Sequence, residues 1–144
     1  LSARGASLAG RIVVDITNPL DFATFDSLTV PADSSATAEI AAALPDSRVL
    51  KAFNTTFAAT LAAGTVGPLT TTVLIAGDDT EAKAALAQVV TDGGLSAIDA
   101  GGLRRARELE AQGFLQITPR GRLATEKAFR YFAKKLPPPQ KRLF

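Results

Sequence analysis

The sequence predicts an α/β fold built on a parallel sheet, followed by a C-terminal β-hairpin and helix. Three observations predict it. Short β-branched apolar runs alternate with segments of helical periodicity, the pattern that gives a parallel sheet with right-handed crossovers. The first two of these runs each stop at a polar, turn-forming loop. After Gly113 the alternation ends, and two short strands flank a basic turn.

Four segments are predicted as strands because they are rich in β-branched and aliphatic residues between turn signals. They are Arg11–Asp15, Ser47–Phe53, Thr70–Ala76 and Leu95–Asp99. A run such as RIVVD, apolar without alternation, is typical of a strand that is buried on both faces.

Helices are predicted between and after these strands, each with start and stop residues of its own. Asp33 or Ser34 caps a helix that runs to Leu44, and Asn54 caps Thr55–Ala63 before Gly64. Asp78 and Glu81 form a capping-box-like pair at the head of a helix that ends at Gly93. The last helix of this part is Leu103–Gln112.

Beyond Gly113 the predicted order is a strand, a tight basic turn, a return strand and a helix. Their ranges are Phe114–Thr118, Pro119–Arg122, Leu123–Thr125 and Glu126–Leu136. Three consecutive prolines then end regular structure. We divide the chain into residues 1–112, the sheet domain, and residues 113–144, a hairpin, a helix and a basic tail.

The composition excludes several kinds of site. With no Cys and no His, the chain has no disulfide, no Ser-His-Asp triad and no thiolate or imidazole metal ligand, so we expect no metal. Neither a membrane span of about 20 apolar residues nor a signal peptide is visible; we expect a cytoplasmic protein without a membrane partner. The absence of Met favours a fragment of a longer protein.

Charge is divided unevenly along the chain. Residues 1–100 carry five basic and eleven acidic residues, whereas residues 101–144 carry eleven basic and three acidic ones. The asymmetry points either to a tail with an acidic partner or to an ordinary solvated surface.

Two polar loops, at the ends of the first two strands, are the candidate ligand site. In open α/β sheets, ligands bind outside the carboxyl ends of the strands. The alternative is plain turn chemistry, with Asn54 serving only as a helix cap. The candidate cofactor-binding residues are Thr17, Asn18, Pro19, Phe53, Asn54 and Thr55.

Charged residues offer weaker candidates, and we assign no catalytic residue. Asp15 and Asp99 end strands and could form an acid/base pair, although nothing in the sequence places them at the separation that paired-carboxylate chemistry needs. The charged residues of the last helix are predicted to form a solvated face, with Arg104 or Arg105 as an alternative clamp for an acidic substrate. They are Arg104, Arg105, Arg107, Glu108 and Glu110.

Several blocks resemble the deazaflavin-dependent (coenzyme F420-type) NADP oxidoreductase family over about residues 8–118. They read RIVVDITNP, VLKAFNTTFAATLAAGT, VLIAGDD and IDAGGLRRARELEAQGFLQIT. The resemblance implies the second half of a Rossmann-like sheet, NADP(H) binding through the six residues above, and hydride transfer to or from a deazaflavin or a similar acceptor.

The chain departs from that family in having no G-x-G-x-x-G turn, which holds the pyrophosphate at a helix N-terminus. We therefore expect a truncated oxidoreductase, either inactive or still active when alone, in which NADP binding is weak or lost. The missing N-terminal half or a second copy is then needed. The first strand, left without a neighbour, favours homo-oligomers or aggregates.

Residues 113–144 resemble the C-terminal winged-helix end of the Holliday-junction motor RuvB, through GFLQITPRGRLATEKAFRYF. The resemblance implies DNA contacts by Arg120 and Arg122, although Ile117 replaces a residue that is usually basic there. The chain is thus interpreted as a chimera joined within about residues 113–118. The alternative functions are a nucleic-acid-binding or scaffold fragment acting through this wing, and no evolved function at all.

Overall fold

The structure is a computed structural model that describes residues 5–21, 23 and 27–111, together with the backbone of residues 115–118 and 121–124. The predicted helix Glu126–Leu136, the proline-containing tail and the side chains of Arg120 and Arg122 lie outside the described residues. The helices are α1 (Gly5–Leu8), α2 (Ala36–Ala43), α3 (Ala58–Ala63), α4 (Thr80–Asp92) and α5 (Ala106–Glu110). The strands are β1 (Ile12–Asp15), β2 (Arg48–Ala52), β3 (Thr65–Val66), β4 (Leu69–Thr70), β5 (Thr72–Ala76), β6 (Ser96–Gly101), β7 (Leu115–Thr118) and β8 (Gly121–Ala124).

The central sheet has four strands in the order β1-β2-β5-β6. β1 runs parallel to β2, and β5 runs parallel to β6, as the alternation of strands and helices predicted. β2 and β5 are antiparallel, so the sheet contains the predicted parallel pairs but is mixed at this one pair. The fold is α/β, and its sheet is mixed: two parallel pairs of strands run in opposite directions.

The connection between β2 and β5 accounts for the reversal. A parallel crossover must carry the chain back along the sheet, but α3 has only six residues and rises about 9 Å, against about 16 Å for a five-residue strand. α3 ends at Gly64, as predicted, and this glycine has a left-handed conformation with φ 71°. The β3–β4 hairpin, which the sequence analysis missed, takes up most of the residues between α3 and β5. The chain therefore enters β5 from the edge at which it left β2.

The core lies between the two central strands and α4. Leu50, Val73 and Ile75 are buried to within 1% of full burial, and Ala82 and Val90 of α4 pack with them. α4 thus supplies the core contact on this face of the sheet, whereas its Val89 is 66% exposed. Within the described residues no helix is long and apolar enough to cross a membrane.

The helix starts differ from prediction by one to three residues. The amide of Ala38 donates to the Ser35 side chain, so Ser35 caps α2 in place of Asp33 or Ser34. Asp79 caps α4 in the same way, which leaves Asp78 for another partner. Each of these two caps sits one or two positions nearer the helix than predicted, because neighbouring side chains of the same chemistry can serve as the cap.

The C-terminal hairpin is present as an antiparallel pair, with Leu115 opposite Ala124 and Thr118 opposite Gly121. Gly121 and Arg122 belong to β8, so the return strand begins two residues earlier than predicted. β1 pairs only with β2 among the described strands, and the expected homo-oligomer stays a prediction. The division at residue 112 and the junction with a RuvB-like wing also stay predictions.

Gly77, directly after β5, provides a test of this packing. A β-carbon there would overlap Leu50 Cδ2, and Leu50 is fully buried in the core. We expect Gly77→Ala to lower the free energy of unfolding by about 1–3 kcal/mol, the usual cost of overpacking. Urea denaturation measures it.

Gly5→Ala is the matched control, because a β-carbon at Gly5 meets nothing within 4 Å. It should leave stability unchanged or raise it slightly, by no more than about 1 kcal/mol. Equal stability of the two variants would contradict the close approach of Gly77 to Leu50.

Candidate functional site

The two predicted loops meet through their asparagines, which are the only two in the chain. Asp15 pairs with Lys51 across the parallel strands β1 and β2, and each asparagine follows three residues later. Asn18 Nδ2 donates to the backbone oxygen of Asn54 at 3.0 Å, and Asn54 Nδ2 donates to Asn18 Oδ1 at 2.8 Å. Parallel pairing therefore brings both candidate loops to one place at the carboxyl edge of the strands.

The Asn54 carboxamide has a defined orientation. Its Nδ2 donates to two acceptors, Asn18 Oδ1 and the carbonyl oxygen of Leu109, the latter at 2.9 Å. A rotated amide would set oxygen against oxygen at both places. In the described part of the chain, Asn54 Oδ1 is buried without a hydrogen-bond partner. An unsatisfied buried acceptor costs about 1–3 kcal/mol and needs an explanation.

Phe53, just before Asn54, is the one described non-glycine residue with a positive φ, at 64°. A bulky residue in the left-handed region costs on the order of 1–3 kcal/mol, and such residues cluster at ligand sites. β2 consequently ends at Ala52 rather than at Phe53, and Asn54 does not cap α3. The residue that precedes α3 is Phe57, which makes no side-chain cap bond.

The other predicted site residues line the same edge. The amide and hydroxyl of Thr17 both donate to Asp15 Oδ1, at 2.9 and 2.8 Å, which shapes the turn after β1. The carbonyl of Pro19 accepts from the Thr29 amide at 2.7 Å. Thr17 is exposed, and Pro19 and Thr55 are half-buried. All six predicted residues therefore fall on two adjacent loops.

A buried charge cluster that the sequence analysis did not single out lies beneath these loops. The fully buried ammonium of Lys51 donates to Asp15 Oδ2 at 2.8 Å and to the carbonyl of Thr17, and it forms an ion pair with Glu110 Oε1 at 3.1 Å. The ammonium thus has two hydrogen-bond acceptors and a second carboxylate beside it. The available signal was a lysine inside the otherwise apolar run RVLKAF of a central strand.

The second carboxylate of the cluster caps α2. Glu110 accepts from the amide of Ala36 at 2.9 Å and from the amide of Thr37 at 3.1 Å. The Thr37 hydroxyl lies 2.6 Å from Asp15 Oδ2 and 3.0 Å from Glu110 Oε1, within reach of both carboxylates. Two carboxylates and one ammonium leave one negative charge, which the amides at the N-terminus of α2 help to stabilise.

The environment of Asp15 acts on its pKa in opposite directions. Burial alone would raise the pKa, but hydrogen bonds from Lys51, Thr37 and Thr17 outweigh it and hold the pKa below its ordinary value. The ionised form is favoured in the folded state. Asp15 therefore contributes stability above the ordinary carboxyl pKa, and this contribution is lost as the pH falls through the lowered one.

Asp99 does not join Asp15, so the predicted acid/base pair does not form. β2 and β5 separate the two strands, and Asp99 instead accepts from Lys83 at 2.8 Å. The hydrogen bond from Lys83 lowers the pKa of Asp99, and the amide of Gly101 adds to the effect.

The charged helix is only partly solvated. Arg104 is exposed, and Arg105 pairs with Glu108 at 3.0 Å on the surface, as predicted for the face. Arg107 instead donates to the carbonyls of Pro31 and Ser34, and Glu110 is fully buried. The prediction of a solvated Glu110 is wrong because the buried Lys51 requires a second carboxylate.

The arrangement favours binding over acid/base chemistry by the protein. Lys51, Asp15 and Glu110 are sealed from solvent, whereas the loops above them present amides, a hydroxyl and backbone groups. Among the described residues no group of three or more potential metal ligands converges. Such a site can bind and orient a polar ligand whose own chemistry drives a reaction.

Comparison with known proteins finds that the chain is similar to two reductases. The chain is 36% identical over 104 residues to metalloreductase STEAP3 from Rattus norvegicus, a match that covers 72% of this chain and 20% of STEAP3. A crystal structure of a candidate F420-dependent NADP reductase from Arthrobacter sp. FB24 superimposes with a TM-score of 0.67 and 32% identity, covering 76% of this chain and 51% of that one.

Hypothetical protein SMa0349 from Sinorhizobium meliloti superimposes with a TM-score of 0.61 and 27% identity, over 85% of this chain and 58% of that one. No protein-family model matches. The chain thus spans a fifth of STEAP3 and somewhat more than half of the two solved structures. It has a partial Rossmann-like fold of the NADP-reductase type.

Replacing Lys51, which lies in the buried cluster, and Lys83, which pairs with Asp99 near the surface, gives a direct test of the charge cluster. Lys51→Met leaves two buried carboxylates without a cation, and we expect the free energy of unfolding to fall by about 3–5 kcal/mol. Lys83→Met removes an ion pair whose carboxylate is 58% exposed, and should cost no more than about 1 kcal/mol. Urea denaturation at neutral pH compares them; equal costs would refute the cluster.

Proposed function

We propose that the Asn18–Asn54 site forms the nicotinamide-side wall of an NADP(H)-dependent oxidoreductase, with a deazaflavin or a similar compound as hydride acceptor. The observation that carries the proposal is Asn54 Oδ1, a buried acceptor held in place without a donor. The carboxamide of nicotinamide provides an N–H donor of the required kind.

The residues around Asn54 fit this group in chemistry. Phe53 and Pro19 are half-buried and offer apolar surface for a ring, and Thr17 offers an exposed hydroxyl. When bound, nicotinamide supplies the hydride chemistry, so the protein needs only to bind and orient it. Because Asn54 Oδ1 is buried, we expect binding to shift the covering side chains.

Two comparisons support the class of reaction. Both the candidate F420-dependent NADP reductase and metalloreductase STEAP3 are reductases by description, and F420 is a deazaflavin. This chain has no G-x-G-x-x-G turn, the usual pyrophosphate site. Full affinity therefore requires a further segment or a second copy, and this chain alone should bind NADPH more weakly than micromolar.

The test is an NMR titration of the chain with its two asparagine side-chain amides labelled with ¹⁵N. We expect nicotinamide mononucleotide and NADPH to shift the Asn18 and Asn54 signals at roughly millimolar concentration, about −4 kcal/mol of binding. 2′,5′-ADP, which lacks nicotinamide, should leave them in place.

Two alanine variants sharpen the titration. Asn54→Ala should abolish the response of Asn18 to nicotinamide mononucleotide. Gln88→Ala, which removes an exposed amide bonded only to Asp92 on α4, should preserve it. Absence of any shift in the unmodified chain, or equal shifts with 2′,5′-ADP, would overturn the proposal; submicromolar NADPH binding would contradict the expected loss of the pyrophosphate site.

As a second candidate we propose weak, sequence-independent DNA binding by the C-terminal segment. Residues 119–144 carry eight basic residues against Glu126, and the antiparallel pairing of β7 with β8 supports a wing-like hairpin. Arginines near a hairpin turn are apt phosphate contacts. Such binding would be dominated by counterion release and would fade with salt.

Fluorescence anisotropy with a labelled duplex measures this effect across salt concentrations. We expect the log–log slope of affinity against salt to flatten by roughly two units when Arg120 and Arg122 are both replaced by Ala. Replacing Arg104 and Arg105, on the exposed face before α5, is the matched control and should leave the slope unchanged. No binding at low salt would exclude the DNA function.

A further inference from the structure

We propose that Lys51 is a positioning residue for the Asn18–Asn54 pair: its buried ammonium holds the two site loops and the end of α5 so that Asn54 Oδ1 is turned toward a ligand. The inference deepens the proposed function and rests on it for the identity of the ligand. Lys51 itself touches no ligand, since its side chain is fully buried.

The first link runs through β1. Lys51 donates to the carbonyl of Thr17, the residue directly before Asn18, and to Asp15, which in turn fixes the Thr17 amide and hydroxyl. The backbone on the N-terminal side of Asn18 is thus tied to the ammonium. From there Asn18 reaches Asn54 in both directions, by donating to its carbonyl and accepting from its side chain.

The second link runs through α5. Lys51 pairs with Glu110 at 3.1 Å, and the neighbouring residue, Leu109, offers its carbonyl to Asn54 Nδ2. Glu110 is held from its other side by the first amides of α2. The ammonium therefore controls the position of both acceptors that orient the Asn54 carboxamide. If either acceptor withdraws, the carboxamide is free to rotate and its oxygen is no longer directed.

Stability alone gives a poor reason for this arrangement. Well-packed apolar side chains in place of a buried ion cluster are often neutral or stabilising. The neighbours of Lys51 along β2 are apolar and buried, so an apolar residue would suit the strand. An ammonium does what no apolar side chain can, because it joins β1, β2 and α5 through two hydrogen bonds and an ion pair.

The chain's lack of cysteine allows the charge at position 51 to be removed and restored chemically. Lys51→Cys, alkylated while unfolded with bromoethylamine, regains an ammonium at nearly the lysine length, with sulfur in place of one methylene. Alkylation with iodopropane gives a side chain of the same shape without charge. The readout is the ¹⁵N–¹H spectrum of the two asparagine side-chain amides in cofactor-free protein, with urea denaturation to confirm folding.

We expect the aminoethyl protein to show both asparagine amides at the positions of the unmodified chain. In the propyl protein both should move, and hydrogen exchange at the Asn54 amide should accelerate on the order of tenfold as its acceptors withdraw. A folded propyl protein with both amides unmoved would overturn the inference, as would failure of the aminoethyl group to restore them.

Glu110→Gln tests the same link if the propyl protein does not fold. The substitution keeps the side-chain shape. It places an NH2 group where a carboxylate oxygen of Glu110 accepts from the amide of Ala36 or Thr37 in the unmodified chain. The Asn54 amide signals should move, whereas Glu108→Gln, two residues away on the exposed face of α5, should leave them in place. Unmoved Asn54 signals in Glu110→Gln would overturn the inference.

These measurements separate the inference from the function on which it rests. They use no cofactor, so moved asparagine signals together with a failed nicotinamide titration would support positioning and refute the NADP(H) site. Unmoved asparagine signals together with a successful nicotinamide titration would support the NADP(H) site and refute the positioning role of Lys51.

Discussion

A single buried ammonium organises one half of this structure. An unpaired charge in a protein interior is prohibitively costly, so the buried Lys51 needs oxygen acceptors around its ammonium. Those acceptors come from β1 and from the C-terminal end of α5, elements far apart in the chain. The same carboxylate that meets Lys51 also caps α2. The requirements of one side chain thus bring together β1, β2, α2 and α5 at the edge where the candidate ligand site lies.

The mixed direction of the sheet divides the polar loops between two roles. Because β5 runs against β2, the carboxyl ends of β5 and β6 lie at the opposite edge from those of β1 and β2. The polar residues at that other edge are used internally: Asp78 accepts from the Leu103 amide, Asp79 caps α4, and Asp99 pairs with Lys83. At the β1–β2 edge, by contrast, Asn54 Oδ1 is held without a donor. This contrast singles out one edge as the candidate site.

The sequence predicted local elements well and the long-range contacts poorly. The four main strands, α4 and the end of α3 at Gly64 follow from periodicity and from residues that stop helices, which are local properties. The direction of β5 could not be read in this way, because it depends on how the residues between β2 and β5 are shared among a loop, a short helix and a hairpin. Adjacent capping residues of similar chemistry likewise left the starts of α2 and α4 uncertain by one or two residues.

In the candidate site too, the local features could be predicted from the sequence and the long-range contacts could not. Thr17, Asn18 and Asn54 could be predicted because they follow strands, and parallel register then brings equivalent positions together. Glu110 could not, since a glutamate beside arginines on a helix has the pattern of a solvated face and its burial depends on Lys51, 59 positions earlier. The lysine was visible as an anomaly in an apolar strand, but its partners were not.

The strained backbone of Phe53 and the unsatisfied Oδ1 of its neighbour Asn54 depend on the same surroundings. Phe53 adopts φ 64° between Ala52, the last residue of a buried strand, and Asn54, whose side chain is held by Leu109 and Asn18. Both features cost free energy, and both persist only because the surroundings hold them. That support comes from the Lys51 cluster beneath the loops, which joins the segments on either side. A chain selected for stability alone would satisfy Asn54 Oδ1 internally, as it satisfies the three aspartates at the opposite edge. A buried acceptor held without a donor above a rigid charge cluster is instead the arrangement expected of a ligand site in which the carboxamide is oriented before the ligand arrives, although the side chains that cover it must still shift.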